Sequence, residues 1–165
     1  MARHAFLALG SNLGDRRRYL RDAIARLTAA EGVNLLRQSR VYETEAVGPV
    51  EQGPFLNLVI EVELAEEITP RQLLALAKET ERELGRQARV RWGPREIDID
   101  VLLIDDEKAC EPDFTLPHPR MWERAFVMAP LADLAPALPT PSGETAAELA
   151  ARLGEEQGIH ATVHL

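Results

Sequence analysis

The chain of 165 residues contains one cysteine, Cys110, so no internal disulfide can form. Lysine is almost as scarce, with only Lys78 and Lys108. Neither belongs to a Gly-x-x-x-x-Gly-Lys-Ser/Thr phosphate loop, and no Gly-x-Gly-x-x-Gly occurs, so any nucleotide must be held by other means. The histidines His4, His118, His160 and His164 lack zinc-ligand spacing. No apolar run nears the ~18 residues that cross a bilayer. The stretch Ala5–Leu9 is too short for the core of a signal peptide, and no cleavage pattern follows it. These absences predict a cytoplasmic protein without a membrane partner. The length fits a single domain, residues 1–165, around one hydrophobic core.

The net charge is −8, which repels nucleic acid as a whole. Against that background, Arg86, Arg89, Arg91 and Arg95 crowd ten positions, and no acid lies between Gln87 and Arg95. Gly93 and Pro94 mark the segment as a loop. A charge run is ordinarily a solvated face. An arginine-rich loop on an acidic chain also suits a small anion, because the planar guanidinium grips phosphate oxygens in pairs.

Periodicity places elements around that loop. Phe6–Leu9 reads as a short strand, and Gly10–Gly14 as a strand-to-helix turn that could also cradle an anion. Asp15 caps a helix over 16–30 with Leu20, Ala23, Ile24 and Leu27 on one face. A strand is expected over 33–44, then a long loop over 45–54. In Phe55–Leu64 the residues Leu56, Leu58, Ile60, Val62 and Leu64 alternate with Phe55, Asn57, Val59, Glu61 and Glu63. Thr69, Pro70 and Gln72 open a helix that ends near Leu84, with Gly85 as its stop. A strand follows over 97–104. Six prolines after Leu116 keep later helices short, and Thr145 with Glu148 opens the last, ending near Leu153. The order β-α-β-β-α-β predicts an α+β fold with a ferredoxin-like core, a mainly antiparallel sheet with helices packed on it.

Asp98 and Asp100 fall two apart on the strand 97–104, on one face, with Ile97, Ile99 and Val101 on the other. Paired carboxylates at that distance repel unless a cation lies between them, and one or two Mg²⁺ ions would serve. The alternative is two solvated acids at a strand edge. Phe55 and Asn57 share a face that could stack on a flat heterocycle and hydrogen-bond its rim, or could belong to a second small core. Glu81 flanks the stripe Leu73, Ala77 and Leu84 and reads as a flanking acid.

The segment Arg91-Trp92-Gly93-Pro94-Arg95-Glu96-Ile97-Asp98-Ile99-Asp100 resembles the signature of the 6-hydroxymethyl-7,8-dihydropterin pyrophosphokinases of folate synthesis. Leu9–Gly14, Phe55–Asn57, Leu116–Arg120, Arg124–Val127 and Leu134–Pro136 extend the likeness over nearly the whole chain. The resemblance implies an enzyme that moves a diphosphate from ATP to the pterin, with AMP leaving. It implies that Asp98 and Asp100 hold two Mg²⁺ ions, and that Arg86, Arg95 and Arg124 bind phosphate. Phe55 and Phe126 would sandwich the pterin, Asn57 would bond its edge, and backbone groups near Thr44 and Val47, with Trp92, would complete that pocket. Lys78, Glu81, Arg91, Trp92, Ile99, Thr115 and His118 would serve ATP. The loops 45–54 and 86–93 would close over a monomeric enzyme whose partners are two small molecules. Departures from the pattern are Glu45, Asp113, Pro119 and one residue fewer between Arg86 and Arg91. Two rivals remain: a glycosyltransferase with a metal-bound sugar nucleotide on Asp-x-Asp, and a binding module that uses no metal.

Overall fold

The computed structural model describes residues 2–45, 51–86, 93–159, 162–163 and 165. The elements run β1 (Arg3–Ser11), α1 (Arg16–Ala29), β2 (Val33–Gln38), β3 (Val41–Thr44), β4 (Phe55–Leu64), α2 (Pro70–Glu83) and β5 (Asp98–Ile104). Then come β6 (Ala109–Glu111), β7 (Phe114–Leu116), a 3-10 turn (Met121–Glu123), α3 (Ala125–Leu134), α4 (Ala146–Gln157) and β8 (Thr162–Val163). The main sheet is ordered β5-β1-β4-β3-β8, with β2 beside the other half of β4, and every pairing is antiparallel. Counted as one broken strand, β2 and β3 complete the ferredoxin-like order expected from the sequence.

The break has a local cause. Ser39 donates its backbone N–H to Val59 O at 2.9 Å, and its hydroxyl accepts the Val59 N–H at 2.9 Å. A side chain thus takes the place of a ladder carbonyl, and the strand is interrupted between Gln38 and Val41. The helix starts follow the sequence: Asp15 accepts from Arg18 N, and Thr69 and Thr145 each form a reciprocal capping box, with Gln72 and Glu148.

Alternation along the strands builds two cores. Leu56, Leu58, Ile60, Val62 and Leu64 of β4, with Leu7 and Leu9 of β1 and Ile99 and Val101 of β5, pack under α1 and α2. On the opposite face Val59, Leu102 and Leu103 pack against α3 and α4. A shift in register between β1 and β5 leaves Leu102 without a partner opposite β1, and this bulge turns both Leu102 and Leu103 to the second core. Beyond it, β5 turns Ile99 and Val101 to the first core and Asp98 and Asp100 to the α3 side.

Candidate active site

The second core stops short of one end of the sheet, and a cleft of about 680 Å³ opens there between β4, β1, β5 and the start of α3. Pairing sets its floor. Asn57 stands opposite Gly10, and Gly10 opposite Asp98, while Val59, Ala8 and Asp100 form the next row. Asn57 and Asp98 are therefore two strand spacings apart, roughly 10 Å, across a bare glycine. The bareness is required: a Cβ on Gly10 would lie 2.7 Å from Asn57 Oδ1.

Phe55 and Phe126 line the cleft from β4 and α3, and Thr44 adds a wall from β3. Thr44 acts through its side chain, whose Oγ1 accepts from Asn57 Nδ2 at 2.9 Å and fixes the amide's orientation. Phe55 takes no part in the second core, whereas Val59, four positions along the same strand face, does. Arg86, Arg95 and Arg124 also line the cleft. Arg124 Cζ lies 5.4 Å from the Phe126 ring centre.

A smaller cavity of about 270 Å³ opens on the other side of Asp100, between α2 and the β6–β7 hairpin. Lys78, Ile99, Thr115 and His118 line it, and Asp100 belongs to both spaces. Of the residues expected to serve ATP and its phosphates, Lys78, Ile99, Thr115 and His118 line the smaller cavity, whereas Arg86, Arg95 and Arg124 line the larger cleft with Phe55, Asn57 and Phe126; Asp98 lines the larger cleft alone. Glu81 lines neither space. It is buried because it accepts the Ile99 N–H at 2.7 Å and pairs with Arg86 at 2.7 Å. Arg86 also reaches Asp98 Oδ1 at 3.0 Å. Glu81 is therefore no flanking acid; it ties the end of α2 to β5 and holds Arg86 beside Asp98.

Electrostatics mark the same place. Burial, and then the Asp98 carboxylate, push Asp100 up to about 7. Burial raises Glu81 from its ordinary range. Burial lowers His118, with the Arg124 charge adding to it, so this imidazole is neutral at pH 7. Its Nε2 lies 3.9 Å from Asp100 Oδ1. Among the described residues no three His, Cys, Asp or Glu side chains converge as a metal cluster. Val47, Arg89, Arg91 and Trp92 lie outside the described residues, as do parts of both loops expected to close.

Sequence reasoning assigned no role to Asn12, Glu123 or Gln157. Asn12 donates to Gln52 Oε1 at 2.8 Å and to Gly53 O at 2.9 Å, and it accepts the Arg95 N–H at 2.9 Å. It thereby fastens the two segments that flank the cleft. The only signal for it was its place in the Gly10–Gly14 turn. Glu123 and Gln157 line the cleft from the 3-10 turn and the end of α4, and no periodicity marked either.

A family model described as 7,8-dihydro-6-hydroxymethylpterin-pyrophosphokinase (HPPK) matches residues 6–136. A Bacillus subtilis protein named 2-amino-4-hydroxy-6-hydroxymethyldihydropteridine pyrophosphokinase is 46% identical over 130 residues, covering 79% of this chain and 77% of that relative. A Methylorubrum extorquens protein of the same name is 41% identical over 149 residues, covering 90% of this chain and 92% of the relative. Among solved structures, wild-type Plasmodium falciparum HPPK-DHPS with pterin and p-hydroxybenzoate superposes with a TM-score of 0.73 at 15% identity, a likeness of fold. The match covers 96% of this chain and 45% of that one, so the chain spans less than half of that solved protein.

Proposed function

This chain belongs to the 7,8-dihydro-6-hydroxymethylpterin-pyrophosphokinase family, and from that premise we propose that it transfers the diphosphate of ATP to the hydroxymethyl group of 6-hydroxymethyl-7,8-dihydropterin, releasing AMP. One observation carries the reading for these residues. Asn57, Gly10 and Asp98 form a single cross-strand row, with the amide at one end and the Asp98 carboxylate at the other. Two strand spacings suit a flat bicyclic ring whose edge meets the amide and whose hydroxymethyl arm points to the acids. The larger cleft takes the pterin and the smaller cavity takes ATP.

In this reading Phe55 and Phe126 hold the ring between them, Asn57 bonds its rim, and Thr44 keeps the amide turned correctly. Lys78, Ile99, Thr115 and His118 seat the nucleotide. The hydroxymethyl oxygen attacks the β-phosphorus, and a new C–O–P linkage forms. The bond from the β-phosphorus to the oxygen bridging to the α-phosphorus breaks, AMP leaves with that electron pair, and the hydroxyl proton departs. Arg86, Arg95 and Arg124 offset charge on the phosphate oxygens, so catalysis rests on positioning and electrostatics. Glu81 keeps Arg86 at its post.

The donor set fits Mg²⁺. This ion takes one or two carboxylates and fills its remaining sites with phosphate oxygens and water, and Asp98 and Asp100 stand on one strand face. Burial first, and then the Asp98 charge, raise Asp100 toward neutrality, and a bound cation would favour its charged form. Asp98 and Asp100 would hold the ions, two by family likeness, and bound Mg²⁺ would screen the triphosphate. The reading is tested by incubating the protein with ATP and Mg²⁺. AMP should form only when the reduced pterin is present, and no pterin-dependent AMP would overturn it.

A further inference from the structure

The N-terminus of α3 carries two residues of the acceptor pocket. Arg124 is its cap residue and Phe126 its second helical residue. An arginine has no acceptor to offer a helix start, where Ser, Thr, Asp or Asn ordinarily take up a free N–H. Arg124 makes no side-chain cap bond. The missing acceptor comes from another helix. Gln157, the last residue of α4, accepts the Ala125 N–H through Oε1 at 2.9 Å and donates through Nε2 to Glu123 O at 2.7 Å. One amide thus fastens the backbone on both sides of Arg124, and it also lines the larger cleft. The span matched by the family model ends at residue 136, before α4 begins.

We infer that Gln157 is a positioning residue of the acceptor pocket. It takes up the free N–H of the first residue of α3 and holds the Glu123 carbonyl, and so fixes where Arg124 and Phe126 stand. The cap position is free for a phosphate-binding guanidinium because the capping acceptor arrives from α4. This rests on the reading of the larger cleft as the pterin pocket.

The test compares wild type with Gln157→Ala and Gln157→Glu. Losing both bonds should raise KM for the reduced pterin about tenfold, and kcat should fall as well because Arg124 shares the same mount. Glu retains an acceptor for the Ala125 N–H, favourable beside a helix N-terminus, and should recover most of the affinity. A merely structural weakening would shrink the folded fraction and cut kcat at unchanged KM. That result, or an unchanged pterin KM in Gln157→Ala, overturns the inference. Equilibrium binding of 6-hydroxymethylpterin, followed by fluorescence, separates the two claims. If wild type binds the pterin but releases no AMP, the transfer reaction falls, and equal dissociation constants for wild type and Gln157→Ala would still refute the role of Gln157. Absence of pterin binding by wild type overturns both.

Discussion

Gly10→Ala probes the floor of the cleft with a single methyl group. The new carbon would meet Asn57 Oδ1 at 2.7 Å and Phe55 Cδ1 at 3.5 Å. Carbon–oxygen contacts settle near about 3.3 Å, so the amide must retreat by roughly 0.6 Å. It cannot do so freely, because Nδ2 is held to Thr44 Oγ1 at 2.9 Å; a stretch of that size takes the bond to the limit of hydrogen bonding. The lost bond costs about 1 kcal/mol, and overpacking adds about 1–2 kcal/mol. Gly10 is not among the glycines with positive φ, so the alanine itself fits the backbone and returns roughly 0.5–1 kcal/mol of chain entropy. The net loss should be about 1–2 kcal/mol, read from urea unfolding. Asn57→Ala removes the obstructing oxygen, so the double variant should be more stable than the sum of the singles by about 1 kcal/mol. The pterin KM of Gly10→Ala should rise about tenfold or more. Additivity within about 0.3 kcal/mol, or an unchanged KM, would refute the crowding of amide and glycine.

Asp98→Ala and Asp100→Ala should each lower turnover at least about a hundredfold while the protein stays folded; near-normal activity of the double variant at millimolar Mg²⁺ would remove the metal assignment. The raised pKa of Asp100 means that its own contribution to stability falls as pH rises from about 4 to about 7, so without Mg²⁺ the stability of Asp100→Asn relative to wild type should rise over that range and then level off. His4 is raised above its ordinary value, chiefly by its hydrogen bond to Glu61 at 2.9 Å. Its contribution to stability is complete below the unfolded pKa and is lost as pH rises through the folded one, so His4→Gln should destabilise at pH 6 and match wild type near pH 9 in thermal unfolding.

Much of this architecture is written where local chemistry is strong. The capping boxes at Thr69 and Thr145 form from their own sequence neighbours, and the two faces of β4 follow from alternation alone. The face shared by Asp98 and Asp100 follows in the same way. What sequence could not show depends on distant partners. The strand over 33–44 is two strands because Ser39 meets Val59, twenty residues away. The ends of β1, Arg3 and Ser11, are polar and look unlike strand, yet β4 pairs with both. The β6–β7 hairpin is built from three-residue strands around Pro112 and Asp113, too short for any period. The last turn of α4, Gly154 to Gln157, has no apolar residue to announce it, and it places Gln157 in the cleft. Glu81 looks like a flanking acid until the Ile99 N–H is seen to need its oxygen. That two spaces share Asp100 is likewise a property of the folded sheet.

The position of bond cleavage in ATP tests the central claim most directly. Phosphorus NMR of a reaction containing ATP, Mg²⁺ and 6-hydroxymethyl-7,8-dihydropterin should show AMP and a pterin diphosphate growing in equal amounts, with ATP unchanged when the pterin is left out. Appearance of ADP with a pterin monophosphate would place the attack on the γ-phosphorus and contradict diphosphate transfer.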